Sequence, residues 1–574
     1  MGKKMPIINR IVPACALISS FLFLATAHAE SFGSVTRIQT ADQSVVITLH
    51  PQPSLVLDQP TWVSFSIPFA DGVLENVQQV RVFDDTGAEI PASIRPILKW
   101  RNLRKGRDGR HLRAAIVQTQ MSFRHRSAQK LTVKWGQELR KSEGLAQPVR
   151  KNWVLVNDAE YPERAAVYEP TVYASLPAEY LSRAGVYPRT SPFSSASRNK
   201  DMAFINSVHT EFFKTAINRF EKGVKDSEKI PYLTDAEPWL YDRASTFYRT
   251  YVRSGSVEHL KAAHRAAEFY RNNLDPAGYF LLKKEGPDLK YSYGESLLAE
   301  LILFGDETVL PVFERLINAS NDFNTEYHSP TQFWTERGAA YRLLISITAY
   351  EATGKPVYAR RAMTDLDHIL AVQNNPPGFI IDKVRNDGCF IHTAYSAGEG
   401  DENQFYCSPW MTTLLLYAMQ RYDMISPDER IAQSAVRMAD FTLRIGSRID
   451  DEWLHGENLP YRNMRIPYYL VSSFGVNEND PWADKEHAID AAKIMALGAY
   501  YARQLKDARA DEFQRIAYDF VKSARVNFET WIRPNGLKEG KPVYRLSPAR
   551  KFNWWFNASY DVDFLLSRNP AREH

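Results

Sequence analysis

Cysteine is scarce in this sequence, which limits the kinds of site that the chain can build. The 574 residues contain three cysteines. Cys15 lies in the N-terminal segment, so two remain further along, Cys389 and Cys407. No CxxC or HxxxH spacing accompanies this pair, and such spacings are typical of zinc sites. A metal site built on these cysteines is therefore not indicated.

Several short motifs of large enzyme classes are also absent. The sequence has no P-loop, no GxGxxG that opens a helix after a strand, no GxSxG and no HExxH. These absences argue against nucleotide-dependent, serine-hydrolase and zinc-protease chemistry. We expect no cofactor and no metal, and a reaction carried by the protein's own side chains.

Long apolar runs are confined to the N-terminus. Three basic residues precede the apolar run 11–27, and Ala27-His28-Ala29 supplies a cleavage signal. Residues 1–29 are therefore predicted to be a secretory signal peptide of Gram-negative type. An uncleaved anchor is the alternative, although the run is short for a spanning helix. The mature chain is expected to be periplasmic or secreted, without stable membrane insertion.

Export changes the interpretation of the two remaining cysteines. In an oxidising compartment, a pair 18 positions apart is expected to form a disulfide. This disulfide would close a loop rich in chemically active side chains, namely His392, Tyr395, Tyr406, Glu399, Asp401 and Glu402. Two buried free thiols are the alternative.

Positive charge is concentrated in one stretch of the chain. The formal net charge is +4, of which the signal peptide carries three, leaving +1 (4 minus 3) for the mature chain. Residues 99–151 hold fifteen Lys or Arg and three acids, a local net charge of +12 (15 minus 3). Nucleic acid is not an expected partner of an exported protein, so this basic stretch predicts attraction to an acidic polysaccharide or to lipopolysaccharide. Docking onto the acidic remainder of the chain, or plain solvation, is the alternative.

Residues 30–156 follow a β pattern. Short segments alternate between apolar and polar residues, as half-buried strands do: 44–50, 61–67, 77–83, 113–123, 130–136 and 152–156. They predict an antiparallel β-sandwich or barrel of about seven strands. A linker rich in proline and tyrosine is expected at 157–198.

Residues 199–574 are predicted to be helical, with two kinds of helix in alternation. One set is apolar nearly all round, as buried helices are: 239–252, 291–304, 333–351, 409–422, 487–503 and 554–567. The other set is amphipathic, as helices that face water are: 202–222, 257–273, 307–320, 356–373, 428–445 and 511–528. Six inner and six outer helices in alternation predict an (α/α)6 toroid, so the whole chain is expected to be an α+β protein of two domains.

The connections between these helices predict which end of the toroid is functional. Connections from inner to outer helices are tight, as at 253–256 and 352–355, whereas connections from outer to inner helices are long, as at 374–408 and 446–486. Long loops in compact domains are usually functional. The site is therefore expected at the end where the inner helices begin.

Aromatic and polar residues recur at that end. Aromatic faces stack on sugar rings while acids and amides bind the hydroxyls. We therefore expect a carbohydrate cleft lined by Trp239, Tyr293, Glu295, Trp334, Arg337, Trp410, Tyr468, Trp554 and Trp555. The alternative is that these aromatic residues only fill the centre of the ring.

The hairpin count and helix texture resemble the six-hairpin glycosidase and polysaccharide-lyase superfamily. In addition, SIPFADGVL (66–74), VRVFDDTGAEIPASI (80–94), KW (99–100) and DGRHLRAAIVQ (108–118) are similar to the N-terminal domain of exo-rhamnogalacturonan-lyase-like proteins. The resemblance implies a β domain ahead of an (α/α)6 toroid. No catalytic motif of that family matches this sequence, so no residue role is carried over.

Two reactions at glycosidic bonds remain open. Hydrolysis needs two carboxyls: Glu336 is favoured, Asp401 or Glu402 is the expected partner, and Asp242 and Glu295 are in reserve. β-Elimination on a uronate-containing glycan needs a base and a cation, which could come from His392, Tyr395, Tyr468, Arg337, Arg462 and Arg465. Hydrolysis is placed ahead of elimination.

A non-catalytic glycan-binding or polysaccharide-assembly protein is the alternative to an enzyme. In each case the partner is a polysaccharide or oligosaccharide, and a monomer is expected.

Overall fold

A computed structural model describes most of the chain. The described residues are 43–156, 167–195, 199–221, 235–282, 286–379, 388–393, 405–450, 463–472, 477–478, 481–532, 537–538, 541–542 and 550–567. The predicted signal peptide lies outside them. Within the described residues, no helix combines the length and the apolar composition needed to cross a bilayer.

The N-terminal region is built from antiparallel strands, as predicted. The strands are β1 Gln43–Pro51, β2 Pro60–Pro68, β3 Val80–Phe83, β4 Ser93–Asn102, β5 Arg107–Ser122, β6 Gln129–Trp135, β7 Trp153–Val156, β8 Val167–Pro170 and β9 Val172–Ser175. One sheet has the order β3-β6-β1-β9, a second has the order β2-β5-β4, and β7 pairs with β8. Apolar side chains from both larger sheets join one core.

Two parts of this region differ from the sequence-based expectation. Strand β4 is not among the predicted strands, because Pro96 and several basic or polar residues interrupt its alternation. The predicted linker 157–198 contributes β8 and β9, and β9 pairs with β1 at the edge of the first sheet. Proline and tyrosine therefore mark an edge strand here and not a free connection.

The helical region confirms the alternation of two helix sets. The buried set is α3 Arg243–Ser254, α5 Glu295–Phe304, α7 Glu336–Thr353, α9 Pro409–Ile425, α12 Ala488–Gln504, α14 Arg550–Asn557 and α15 Val562–Ser567. The outer set is α2 Lys200–Glu221, α4 Val257–Asn272, α6 Leu310–Ala319, α8 Pro356–Asn374, α10 Glu429–Arg444 and α13 Ala510–Ile532. Two short helices, α1 Ala178–Arg183 and α11 Pro481–Glu486, complete the described helices of more than three residues.

The inner helices form a closed ring. Each contacts the next in the order α3, α5, α7, α9, α12 and α15, and α14 contacts α3 again. The last inner helix is split in two, with α14 and α15 separated by Ala558–Asp561. The first outer helix, α2, packs on the last outer helix, α13, so the outer ring closes in the same place. The described helices therefore form the predicted (α/α)6 arrangement.

The β region covers the end of the ring where the inner helices end. Gly255, Gly305 and Gly354 follow α3, α5 and α7 with φ of 65°, 70° and 70°, the left-handed conformation that ends helices at little cost for glycine. Two of them lie directly against the β region: Gly305 against Ile116 and Gly354 against Arg101. The opposite end of the ring, where the inner helices begin, carries the long connections.

The basic stretch 99–151 contributes several ion pairs across this contact. Arg113 pairs with the buried carboxylate of Glu351, and Arg104 lies 2.7 Å from Asp428. Arg150 contacts two helix-region carboxylates, Glu268 at 2.5 Å and Asp306 at 2.6 Å. For these arginines the structure therefore agrees with the alternative interpretation, in which the basic stretch docks onto the helical region, because they form ion pairs with its carboxylates.

The long connections carry small antiparallel sheets and the disulfide. Strands β10 His392–Thr393, β11 Phe405–Cys407, β14 Leu470–Ser472 and β15 Asn477–Glu478 form one sheet; β12 Ser447–Asp450 pairs with β13 Met464–Pro467, and β16 Leu537–Lys538 pairs with β17 Lys541–Pro542. The predicted disulfide Cys389–Cys407 is confirmed, with an S–S distance of 1.99 Å. It ties β11, and with it the start of α9, to the segment that leads into β10.

Candidate functional site

The start of α3 has an unusual backbone. Tyr241 and Asp242 are consecutive non-glycine residues with φ of 68° and 52°. A bulky side chain in the left-handed region is strained by about 1–2 kcal/mol, because its Cβ crowds the following carbonyl oxygen. Strain of this kind persists where the surrounding structure holds it, and it concentrates at functional sites. The turn Tyr241–Asp242 is therefore a candidate centre for the site.

Asp242 is buried at the head of α3. Its carboxylate Oδ1 accepts the backbone N–H of Ser245 at 2.9 Å, so the residue caps the helix. Burial raises the pKa of Asp242 to about 7, and the neighbouring Glu295 carboxylate adds to the rise. The Ser245 N–H and the Arg249 guanidinium oppose this rise in pKa. A carboxyl with a pKa near 7 can both give and take a proton at neutral pH.

An aromatic cluster lies beside this turn. The Tyr241 ring is 6.3 Å from the Trp410 ring and 6.1 Å from the Trp554 ring, centroid to centroid. His487 stacks on Trp410 at 4.9 Å and lies 4.0 Å from Trp554. Tyr469 also stacks on Trp410, at 5.9 Å. We call these five side chains the aromatic cluster. They come from the starts of α3, α9 and α12, from the middle of α14 and from the β13–β14 connection.

A second buried carboxyl, Asp490, borders the aromatic cluster. Its Oδ2 accepts the indole N–H of Trp554 at 3.0 Å and lies 2.8 Å from His487 Nδ1. Burial raises the pKa of Asp490 well above its ordinary value, with the Trp554 N–H opposing the rise. Burial also lowers the pKa of His487 well below its ordinary value, aided by the charge of Lys551. Burial therefore favours the protonated form of Asp490 and the neutral form of His487.

Arg337 brings a positive charge to the same place. Its guanidinium Nη1 lies 3.5 Å from the Tyr241 hydroxyl, and its Cζ lies 5.8 Å from the centroid of the Trp410 ring. The side chain is half-buried at the first turn of α7. Arg337 is the cation that the sequence predicts at this end for substrate binding, and it lies on the aromatic cluster.

Three buried polar atoms next to the aromatic cluster lack a hydrogen-bond partner within the part of the chain that the structure describes. They are the indole Nε1 of Trp410 and the amide Oδ1 atoms of Asn553 and Asn557. A buried polar group without a partner costs about 1–3 kcal/mol. One unpaired donor and two unpaired acceptors are complementary to a ligand with several hydroxyl groups.

Glu336, the favoured acid of the sequence analysis, is deeply buried. Its side chain is 0% exposed, Oε1 accepts the backbone N–H of Ser408 at 3.1 Å, and Oε2 lies 3.1 Å from His392 Nδ1. His392 is also 0% exposed. These contacts tie the start of α7 to the disulfide-closed segment and to the start of α9. Asp242 therefore replaces Glu336 as our first candidate for a catalytic carboxyl, and His392 is not placed as an accessible base.

Glu295 belongs to a buried ion network along the ring axis. Its carboxylate contacts Arg249 at 2.6 Å and Arg421 at 3.0 Å and accepts the Tyr417 hydroxyl. Arg421 continues to Glu351 at 2.8 Å, and Glu351 pairs with Arg113 of β5. Both oxygens of Glu295 are thus used by protein partners, so it acts on Asp242 through its charge and not on a ligand directly.

Other residues predicted to line the carbohydrate cleft lie beneath or beside the aromatic cluster. Trp239 stacks on Phe269, Trp334 stacks on Tyr327 and donates its N–H to the Thr325 carbonyl oxygen, and Trp555 packs on Phe528. Each of the three tryptophans is at most 1% exposed, so no sugar ring can stack on it as it stands. Tyr468 lies under Arg448, 4.7 Å from Cζ to ring centroid, whereas its neighbour Tyr469 reaches the cluster.

Some predicted residues lie outside the described part of the chain. They are Tyr395, Asp401, Glu402 and Arg462. Arg465 is described, and its guanidinium bonds to the Ser447 hydroxyl at 3.1 Å, within the β12–β13 pair. Within the described residues, no three His, Cys, Asp or Glu side chains converge as a metal site would require.

The sequence-based expectation does not include Tyr469, His487, Asp490 or Asn553, and it names Asn557 as part of a helix mouth without a role of its own. His487 and Asp490 fall at the first turn of a predicted inner helix, and Asn557 follows the Trp554-Trp555 pair. The rule that points to Asp242 and Trp410, a polar or aromatic residue at the mouth of an inner helix, applies equally to these positions. The same rule, carried along all six inner helices, is therefore the signal that could have found them.

Comparisons with known proteins add a distant likeness. No protein-family model matches the chain, and no curated protein matches it. The solved structures it resembles include unsaturated glucuronyl hydrolase from Streptococcus agalactiae, at 13% identity over 66% of this chain and 99% of that chain, with a TM-score of 0.36. A point mutant of that enzyme, complexed with dGlcA-GalNAc6S, aligns at 13% identity over 67% of this chain and 99% of that one, with a TM-score of 0.34. At these scores, the fold assignment rests on the helix order and ring contacts given above.

Proposed function

We propose that the protein is an exported carbohydrate-active enzyme that cleaves glycosidic bonds in an acidic polysaccharide, by hydrolysis. The observation that carries the proposal is Asp242: a buried carboxyl with a pKa of about 7, next to an aromatic cluster at the mouth of a helical ring. The three unpartnered polar atoms beside that cluster support a polyhydroxylated ligand. The disulfide supports an oxidising compartment.

We assign the two buried carboxyls different roles. Asp490, whose pKa burial raises well above its ordinary value, would donate a proton to the leaving glycosidic oxygen, while Asp242, with a pKa of about 7, would activate water or attack the sugar. Two carboxyls whose environments give them different pKa values are what glycoside hydrolysis requires. Asp401 or Glu402 of the disulfide-closed segment remains proposed as an alternative partner for Asp242.

β-Elimination is the second candidate, and one contact favours it. The Arg337 guanidinium lies 3.5 Å from the Tyr241 hydroxyl. A cation that neutralises a uronate carboxylate, beside a phenol that exchanges a proton, is the arrangement that elimination needs. The products separate the two reactions, because elimination leaves an unsaturated uronate and hydrolysis does not.

The test is a panel of neutral and uronate-containing polysaccharides incubated with the purified mature protein. New reducing ends without unsaturated uronates, abolished by Asp242→Asn, would support hydrolysis. Unsaturated products that persist in Asp242→Asn and vanish in Tyr241→Phe would establish elimination instead. Glycan binding without any new reducing ends would establish a binding protein and end both enzyme proposals.

A dependence on ionic strength tests the acidic character of the substrate. The solvent-facing cations of the stretch 99–151, together with Arg337, should attract a polyanion less strongly as salt screens them. Turnover of an acidic glycan should then weaken between low and physiological salt. Unchanged turnover across that range, or a preference for a neutral glycan, would show that the basic stretch serves only to dock the β region.

A further inference from the structure

Tyr293 and Asn557 contact the strained turn from two sides. The Tyr241 backbone N–H donates to the Tyr293 hydroxyl at 2.9 Å, and the Asn557 amide Nδ2 donates to the Tyr241 carbonyl oxygen at 3.0 Å. We infer that Tyr293 and Asn557 are positioning residues, which hold the left-handed turn Tyr241–Asp242 and thereby set the orientation of the Asp242 carboxyl. The inference rests on the proposed function of Asp242.

The direction of each hydrogen bond is determined by its partners. The Tyr293 hydroxyl donates to the carbonyl oxygen of Lys290, so its oxygen is left to accept the Tyr241 N–H. A carbonyl oxygen can only accept, so the Asn557 amide must present its nitrogen to Tyr241. Both assignments follow from the chemistry of the groups and leave no alternative orientation for either side chain.

Side-chain hydrogen bonds also hold the backbone just before the turn. The amide nitrogen of Asn553 donates to the carbonyl oxygens of Pro238 and Leu240, at 2.7 and 2.9 Å. Asn553 and Asn557 both lie on α14, and Tyr293 lies just before α5. These are the two ring neighbours of α3. Hydrogen bonds from α14 and from the residue just before α5 therefore hold the turn from both sides.

Helix capping by itself does not require this geometry. An N-cap residue normally has an extended backbone and still accepts an N–H two or three residues on. Thr335, the N-cap of α7, does so with φ of −143° and accepts the Gly338 N–H. Asp242 caps α3 in the same way but with φ of 52°. The left-handed turn therefore adds nothing to the cap, and what it changes is the direction of the Tyr241 ring and the Asp242 carboxyl.

The Tyr293 hydroxyl is already used on both sides by the protein. It accepts from Tyr241 and donates to Lys290, and its ring packs edge-on against Tyr341 at 5.3 Å. The sequence predicts Tyr293 to be a substrate-binding residue. Its contacts assign it instead to the backbone that carries Asp242, where preorganisation of a reacting group is worth large rate factors.

The kinetic test uses two variants and a matched control. Tyr293→Phe removes one oxygen, and Asn557→Leu removes the amide at nearly constant volume. In each variant kcat should fall about 10- to 100-fold, the loss expected for a misplaced reacting group. KM should stay within about threefold in Tyr293→Phe, whereas Asn557→Leu also removes an acceptor for the ligand and should raise KM by about 3- to 10-fold. The control is Tyr180→Phe, because the Tyr180 hydroxyl makes an equivalent bond to the Pro68 carbonyl oxygen in the β region. It should leave kcat unchanged.

A second readout does not depend on turnover. The measured quantity is the free energy of unfolding of the wild-type protein minus that of its Asp242→Asn variant. This difference should change with pH, because the pKa of Asp242 in the folded protein is about 7. A released turn lets the carboxyl reach water, so its pKa returns toward the ordinary value and this pH dependence flattens. Flattening should appear when the same comparison is made in Tyr293→Phe and Asn557→Leu, and it should be absent in Tyr180→Phe.

The outcomes separate the two proposals. If both variants keep the wild-type kcat and the wild-type pH dependence, the positioning role is wrong, whatever Asp242 does. If the wild-type protein cleaves no polysaccharide, the proposed function fails, and the pH dependence alone decides the positioning role. Loss of kcat with an unchanged pH dependence would also overturn the inference, because the environment of Asp242 would then be intact.

Discussion

The Asp242 carboxylate and the Ser245 backbone N–H are joined by a 2.9 Å hydrogen bond that starts helix α3. Asparagine offers the same oxygen, so Asp242→Asn should preserve this cap and the fold. It removes the titrating group, however, and a lost general acid or base lowers kcat by about 10²- to 10⁴-fold. Reducing-end assays at saturating substrate measure this loss, and glycan binding should persist.

Asp428→Asn is the control for that substitution. Asp428 is also a buried N-cap, accepting the Arg430 N–H at 3.1 Å, but it lies at the other end of the ring near Arg104. Its variant should keep full activity. Equal losses in both variants would show that any change of an N-cap aspartate impairs the protein, and would remove Asp242 from the mechanism.

The buried Asp242 carboxyl also predicts a pH dependence of stability. Its pKa is about 7 in the folded protein against an ordinary value of 3.8, so between these values the folded state holds a proton that the unfolded state has lost. The contribution is complete below about pH 4 and declines as pH rises to about 7, with a slope near 1.4 kcal/mol per pH unit. As the pH rises from about 4 to about 7, Asp242→Asn should therefore become progressively more stable than the wild-type protein at the same pH. Urea unfolding at several pH values measures it, and a constant difference would contradict the raised pKa.

Trp410 and Trp334 make a matched pair of tryptophans. The Trp410 indole N–H has no partner in the described part of the chain, whereas the Trp334 N–H donates to the Thr325 carbonyl oxygen at 3.0 Å. Substitution of either tryptophan by phenylalanine removes part of a buried ring and should destabilise the protein by a similar amount. Trp334→Phe also loses a hydrogen bond, so it should cost about 1 kcal/mol more than Trp410→Phe and leave glycan binding unchanged. Trp410→Phe should weaken glycan binding about 3- to 10-fold, the worth of one hydrogen bond. The reverse pattern would remove Trp410 from the glycan site.

The disulfide should contribute to stability because it joins residues 18 positions apart. Loop closure of this length is worth about 3 kcal/mol in the unfolded chain. Mass spectrometry of the non-reduced exported protein should find Cys389 linked to Cys407, and the double serine variant should unfold at correspondingly lower denaturant. Two free thiols in the exported protein would contradict the pairing.

The buried ion pair between Arg113 and Glu351 predicts a large cost for removing one partner. Arg113 and Arg421 lower the pKa of Glu351 against the effect of burial. Glu351→Gln therefore removes the carboxylate that pairs with Arg113 and leaves Arg421 with Glu295 as its carboxylate partner. A loss of about 3–5 kcal/mol is expected, with kcat of the folded protein unchanged. Arg95→Ala, which breaks the half-exposed pair with Glu307, should cost less than about 1 kcal/mol. Comparable losses would show that burial does not distinguish the two pairs.

Much of the architecture was predictable because it depends on periodic burial. A helix that is apolar on every side must be enclosed, and one that is apolar on a single side must face water. That rule separated α7 and α9 from α8 and α10 and located their ends within a few residues. The unequal lengths of the connections likewise indicated the end of the ring where the aromatic cluster lies.

The choice among residues at that end depended on tertiary structure. Trp239, Trp410 and Trp555 look alike in the sequence, yet the cluster contains Trp410 and excludes the other two, because their rings are covered by Phe269 and Phe528. Tyr468 and Tyr469 are adjacent and contact different partners. A helix mouth specifies which residues come near the site, while the packing of neighbouring helices decides which faces stay available.

Local patterns and spacing in the sequence predicted the alternation of helices, the disulfide and the end of the ring where the aromatic cluster lies. The preference for Asp242 over Glu336 as a candidate catalytic carboxyl depended on the tertiary structure. Glu336 and Asp242 both begin inner helices, but Glu336 is used by Ser408 and His392, whereas Asp242 is buried near Glu295 with one protein N–H on its Oδ1. The pKa of a carboxyl depends on burial and on charges brought from distant parts of the chain, and no local sequence pattern contains that information.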